Sequence, residues 1–407
     1  MIAGVTSPDP ALSANPPEAA AGVMAVLRLA AALALGSAVS LGLARFSYAL
    51  LLPPMRADLG WSYLLAGTMN TINAAGYLVG ALAMPRLLAR FEPRSLLLAG
   101  SVGAAVALAL HGLVNGDAVL LALRFVAGLA SAATFVAGGL MAAQLTQGPA
   151  SVQPGLVLGI YYGGTGLGIV VSALLVPWFV AHGAVHAWQG AWLALAAAAA
   201  LATGLMARET RRRHGRAPVP AGRAAFRWRS LGWGLAGYLM FGLGYIGYMT
   251  FVVTLLREQG LPGALITGFY VLLGLGVVAS SWLWAGLLQR HRGGRPMALL
   301  NALLAAATLL PVLSAHPVAV FVSGALFGGV FLSVVASTTA LVRHNLPAAA
   351  WPAGIAAFTI VFAAGQIVGP SLVGWVADGA GGLARGFAVS AAVLAAGALF
   401  ASRQRAL

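Results

Sequence analysis

Runs of some twenty apolar residues recur along this chain, separated by short polar or Gly/Pro breaks. Each run is long enough to cross about 30 Å of hydrocarbon as a helix, and in lipid a helix satisfies its own backbone polar groups. About twelve can be bounded: residues 23–52, 62–84, 95–114, 118–144, 155–180, 188–207, 231–256, 264–288, 296–315, 318–342, 354–377 and 385–401. Only 8% of the residues are charged and the mean hydropathy is +0.92, where a soluble protein carries roughly 25% charged residues. The expected class is an all-α integral membrane protein. The run that opens near Ala30 continues past Arg45 to Leu52, too long for a cleaved leader, and is expected to persist as the first helix.

The net charge of +15 comes entirely from arginine, because there is no lysine. A lysine-free chain has no Walker A phosphate loop and no Schiff-base lysine, so uphill work must draw on a gradient or a partner subunit. With no cysteine, disulfides and thiolate metal sites are excluded. The seven histidines lack any paired ligand spacing, and no serine, histidine and carboxylate fall at one depth. No metal, cofactor or enzymatic activity is therefore expected. The arginines lie between apolar runs, as loop charges that orient a membrane protein do, and nucleic-acid binding is not expected.

Arginine placement also predicts orientation. One side holds Arg86, Arg90, Arg94, the run from Arg208 to Arg229, Arg290, Arg292, Arg295, Arg343, Arg403 and Arg405; the other holds Arg56, Arg257 and Arg385. The positive-inside rule then puts both termini in the cytoplasm, which an even number of spans permits. The domain reading is a disordered cytoplasmic tail (1–22), a six-helix half (23–207), a basic cytoplasmic linker (208–230), a second six-helix half (231–402) and a short tail (403–407). The linker is expected to contact anionic lipid.

Two arginines fall inside apolar runs, Arg45 and Arg124. Every nearby acidic residue lies at a segment edge: Asp58, Glu92, Asp117, Glu209, Glu258 and Asp378. A guanidinium at membrane depth costs from about 3 to more than 10 kcal/mol unless it faces a wet cavity or a counter-charge. Without an internal carboxylate, the natural counter-charge is a ligand. Arg45 precedes Pro53 by eight residues and Arg124 follows Asp117 by seven, so both are expected roughly 10 Å from the outer surface. Planar forks at a common level suit bidentate capture of a carboxylate or phosphate. Two roles stand open for Arg124, a ligand contact or a brace on backbone carbonyls. Asn70, Asn73 and Tyr77 likewise serve either a ligand or helix–helix adhesion.

Several motifs carry a resemblance. The stretches Pro85–Arg94 and Gly286–Arg295 occupy equivalent places in the two halves and resemble the G-x-L-x-D-R-x-G-R-R loop of the major facilitator superfamily. Ala89 and Gln289 stand in the acidic position. Leu120-x-x-x-Arg124-x-x-x-Gly128 resembles the superfamily's helix-4 arginine motif, and Gly159, Gly163, Gly164, Thr165, Gly166 and Gly168 a loose form of its glycine-rich helix-5 motif. The segment from Gly42 through Arg45-Phe46-Ser47-Tyr48 to Met55, with residues 70–80 (NTINAAGYLVG), resembles the YbfB/YjiJ-like branch. The resemblance implies two pseudo-symmetric six-helix halves around a central cavity and transport by alternating access. It also implies that helices 1, 2, 4, 5, 7, 8, 10 and 11 line that cavity, and polar residues on those segments recur at helical spacing.

The expected function is transport of a small organic anion of carboxylate type, with drug efflux as the alternative and a non-transporting sensor behind it. The expected binding set is Arg45, Tyr48, Asn70, Asn73, Tyr77, Arg124, Tyr161, Tyr245, Tyr248 and Gln366; Arg86, Arg90, Arg94, Arg290 and Arg295 are expected to form cytoplasmic gate loops. Proton coupling, if any, falls to Asp58 at the outer mouth, to His111 near the outer interface, or to the substrate. An arginine-only, alanine-rich composition points to a GC-rich genome and a bacterial inner membrane, and a monomer is expected.

Overall fold

The computed structural model describes residues 16–146, 152–180, 185–211 and 227–407, and among these every regular element is helical. Twelve helices are long and apolar enough to cross a membrane: α1 (Gly22–Leu59), α2 (Tyr63–Arg90), α3 (Pro93–His111), α4 (Asp117–Leu145), α5 (Pro154–Val180), α6 (Ala187–Glu209), α7 (Trp228–Glu258), α8 (Gly263–Arg290), α9 (Arg295–Leu313), α10 (Pro317–Asn345), α11 (Trp351–Ala377) and α12 (Gly382–Ser402). Local chemistry marks their ends. Gly60 takes a left-handed φ of 66° to close α1, and the Ser62 hydroxyl caps α2 by accepting from Leu65 N–H at 3.1 Å. Prolines occupy the first turn of α3, α9, α10 and α11, where their missing N–H costs nothing.

Three boundaries depart from the sequence reading. The first helix opens at Pro16, inside the expected tail, with residues 1–15 outside the described region. It also runs on to Leu59 rather than stopping at Leu52, carrying Pro53 and Pro54 within it. A membrane helix tolerates proline because neighbours repair the lost hydrogen bond. Finally, α2 continues through Pro85 to Arg90, so Arg86 and Arg90 project from a helix rather than a loop. The linker arginines Arg212, Arg213, Arg216 and Arg223 lie outside the described residues.

Packing repeats along the chain. The pairs α2·α4, α3·α4, α3·α6 and α1·α5 recur as α8·α10, α9·α10, α9·α12 and α7·α11, while α2·α11 and α5·α8 join the two sets. The seam is tight at the end that carries Glu258 and Asp378. A Cβ on Gly67 would stand 2.2 Å from Pro370 O, so α2 and α11 meet backbone to backbone there. The Asp378 carboxylate accepts from Tyr63 N–H (2.7 Å) and Leu64 N–H (2.9 Å), capping α2 from across the seam. Arg56 lies 3.7 Å above the Tyr63 ring, and the Tyr63 hydroxyl donates to Glu258. Toward the arginine-rich end α2 presents an exposed face. The α2 stripe that begins with Thr68 and Thr71 continues through Val79, Leu82 and Arg86 along an open groove of about 480 Å³.

Candidate functional site

Arg45 belongs to a nine-residue π-helical stretch of α1, Ala38–Phe46. Ser47 N–H there reaches back five residues to Gly42 O at 3.0 Å. The wider turn takes carbonyls out of the ordinary ladder and frees them for other donors. Ala44 O accepts from Arg124 Nη1 (3.0 Å), and Phe46 O from the Tyr270 hydroxyl of α8 (2.6 Å). Small residues permit the distortion: a Cβ on Gly168 of α5 would lie 2.4 Å from Ala38 O. The glycines of α5 thus serve close helix packing.

The side chain of Arg45 is 3% exposed and crosses the seam. Its Nη2 donates to Gln366 Oε1 of α11, and the same oxygen accepts from the Tyr245 hydroxyl of α7 at 3.0 Å. Its Nε has no partner among the described residues. Nε and Nη2 form one edge of the guanidinium, the edge that grips a carboxylate two-fold. Gln366 therefore occupies half of a bidentate site with a neutral oxygen. Tyr77, half-buried, holds its ring 5.7 Å from the Arg45 Cζ, and Phe46 lies 5.9 Å away.

Arg124 is placed differently. Its Nε donates to Met69 O (3.3 Å), Nη1 to Ala44 O (3.0 Å) and Nη2 to Asn70 Oδ1 (2.9 Å), with the Tyr48 ring 4.7 Å from its Cζ. It ties α4 to α1 and α2 inside one half. The bond to Ala44 O also puts the two arginines at one level, although α1 ends later than the sequence implied.

The remaining expected residues divide. Asn70 spans the seam, its Nδ2 donating to Thr250 Oγ1 of α7 at 2.7 Å. Asn73 donates to Arg124 O (3.0 Å) and leaves Oδ1 bare. Tyr245, Gln366 and Tyr77 converge on Arg45. Tyr48, Tyr161 and Tyr248 point elsewhere: their hydroxyls bond Ala66 O (2.9 Å), Phe135 O (2.6 Å) and Ser323 Oγ (2.7 Å), each within its own half. Of the gate arginines, Arg86, Arg90, Arg290 and Arg295 are exposed, whereas Arg94 braces α6 through Ala207 O (3.1 Å) and Thr210 Oγ1 (3.3 Å).

His111, the last residue of α3, is fully buried against Trp192, with ring centroids 4.6 Å apart. Asp58 accepts from Trp188 Nε1 and pairs with His186, both at 2.5 Å, within one half. What the sequence reading missed is an aromatic slab beside Gln366. Tyr238, Phe241, Tyr245, Phe331 and Phe362 stack with interplanar angles of 9–20°. Residues 238, 241 and 245 share one face of α7, a spacing that marks the slab in hindsight.

Twelve helices packed as two equivalent sets, with a half-filled guanidinium edge on the seam, are the setting for the comparisons with known proteins. The family model described as "Uncharacterised MFS-type transporter YbfB" matches residues 37–402. The chain belongs to this family of the major facilitator superfamily (MFS). A chloramphenicol resistance protein of Streptomyces lividans is 29% identical over 377 residues, 88% of this chain and 92% of its own length. A bacterial homologue of the human lysosomal transporter Spinster, inward-facing and occupied, superposes with a TM-score of 0.70 at 13% identity, covering 94% of this chain and 97% of its own. The nucleoside transporter NupG superposes at 0.67 and 13% identity, covering 94% and 100%. At such identities the two structures share the MFS fold with this chain and nothing finer. The chain is a multi-pass membrane protein of an MFS transporter family.

Proposed function

We propose that this MFS-type transporter moves a small organic anion of carboxylate type across a bacterial inner membrane by alternating access, with Arg45 as the anion anchor. The observation that carries the reading is the half-filled edge of Arg45: a buried guanidinium on the seam, Nε bare, Nη2 on a neutral amide oxygen. A carboxylate arriving there displaces Gln366 Oε1, accepts from Nε and Nη2 together, and takes the Tyr245 hydroxyl as a third donor. The charge then gains the partner that membrane depth demands. Because Gln366 and Tyr245 belong to one half and Arg45 to the other, a ligand exchanging with Gln366 acts on the seam itself. Arg124 holds α1 and α4 in register behind the anchor. With both termini cytoplasmic, the arginine-rich helix ends face the cytoplasm and the Glu258–Asp378 end faces outward.

The test is thermal stabilisation of the purified protein in detergent by carboxylates, phosphates, sugars and cationic drugs. A ligand at 100 times its dissociation constant adds about 2.7 kcal/mol to the folded state. Stabilisation by carboxylates, lost in Arg45→Ala, is the expected result; stabilisation only by cations or sugars contradicts it. Drug efflux is the second reading, favoured by the Streptomyces lividans chloramphenicol resistance relative. Expression in a susceptible host separates the two: a raised inhibitory concentration for chloramphenicol that survives Arg45→Ala supports efflux over the anion reading.

A further inference from the structure

We infer that the transported anion carries a flat aromatic ring next to its carboxylate. This rests on the anion reading of Arg45 and specifies the body of the ligand rather than its charge. The walls around the half-filled edge are rings. Tyr245, whose hydroxyl shares Gln366 Oε1 with Arg45, is parallel to Phe331 (5.9 Å between centroids, 9°), to Phe362 (5.7 Å, 16°) and to Phe241 (4.7 Å, 19°). Tyr238 extends the same set, 4.9 Å from Phe362 at 19°. Rings that merely fill a core accept edge-to-face contacts as readily as stacked ones. Here five rings from α7, α10 and α11 share one plane direction, so a flat group that enters beside them joins the stack with its faces parallel to theirs.

The opposite wall is aromatic too. Phe46, next to Arg45, meets Phe331 edge-on at 5.8 Å and 86°, and the Tyr77 ring lies 5.7 Å from the Arg45 Cζ. Phe362 and Tyr77, one from each half, are the half-buried members, which leaves part of each accessible as the halves part. A carboxylate bonded to Arg45 Nε and Nη2 and to the Tyr245 hydroxyl projects its substituent along the Tyr245 side of the seam. A planar ring there slides in parallel to Phe362 and Phe331. A puckered ring of equal size meets the same faces with axial hydrogens and loses the stacking.

The experiment is calorimetric titration of the purified full-length protein with benzoate and with cyclohexanecarboxylate, which match in charge and size and differ in flatness. Benzoate is expected to bind about tenfold more tightly, the worth of stacking on two ring faces. Phe362→Leu is expected to shrink that ratio to about twofold or less while leaving cyclohexanecarboxylate binding in place. Equal affinities in the wild-type protein overturn the aromatic inference and leave the anion reading standing. Binding of neither carboxylate, or benzoate binding undiminished in Arg45→Ala, overturns both. Because the wild-type pair alone decides the ratio, a poorly folding Phe362 variant does not shield the inference.

Discussion

Replacing Arg124 by methionine removes the three donors that reach Met69 O, Ala44 O and Asn70 Oδ1, and strands the buried Asn70 Oδ1 in the interior of one half. Hydrogen bonds from a charged donor are worth about 1.5–3 kcal/mol each, and an orphaned buried acceptor carries its own penalty. Arg124→Met is therefore expected to lower stability by about 3 kcal/mol or more. Arg45→Met should behave in the opposite way. It deletes a buried charge whose partner is neutral and whose Nε is bare, and exchanging buried ionic groups for apolar ones of similar volume is often neutral or stabilising. Its melting temperature in detergent is expected to equal or exceed that of the wild type while carboxylate-induced stabilisation disappears. Equal losses of stability in the two variants would make both arginines braces.

How far these residues were legible in the sequence follows from what helical periodicity measures. It grouped Tyr245 with Tyr248, and Arg45 with Tyr48, because spacing places side chains on a face of their own helix. It does not say which neighbour that face meets. Tyr245 and Gln366 reach Arg45, whereas Tyr48 turns to Ala66 O and Tyr248 to Ser323 Oγ. The division of labour between two chemically identical arginines was equally hidden, since it depends on carbonyls that only the assembled helices bring into reach.

At the scale of elements, the π-helical stretch of α1 and the outer seam are the parts that hold the site. Both arise from packing between helices, which no single segment encodes; the twelve spans themselves were readable because lipid imposes length and apolarity on each one alone. Closure of the outer seam depends on the absence of a side chain at Gly67, where a Cβ would stand 2.2 Å from Pro370 O. Gly67→Val is expected to hold that end apart, and Asp378→Ala to do so more weakly by uncapping α2. The chain has no cysteine, so Leu113→Cys and Leu313→Cys place spin labels at the outer ends of α3 and α9 without background. A longer inter-label distance in Gly67→Val is the expected result, and an unchanged distribution contradicts the seam described here. Tyr270→Phe, which leaves Phe46 O without its donor, is expected to cost about 1 kcal/mol of thermal stability.

For the whole molecule, the orientation proposed from the arginine asymmetry has both termini and the arginine-rich helix ends in the cytoplasm. A fluorescent protein fused after Leu407 is expected to fluoresce and a fused alkaline phosphatase to be inactive; the reverse pattern would invert the orientation. The acidic residues on the seam, Glu258 and Asp378, bond Tyr63 and Leu64 and neither meets Arg45, so the proposal assigns that guanidinium a ligand from the transported pool. Counterflow in proteoliposomes tests this most directly. Vesicles preloaded with unlabelled benzoate are diluted into labelled benzoate, and the label inside is followed over time. Transient accumulation in wild-type vesicles, absent in Arg45→Ala vesicles of equal protein content and equal or higher melting temperature, is the expected result. Accumulation of the same size in both would contradict the role of Arg45 as the anion anchor.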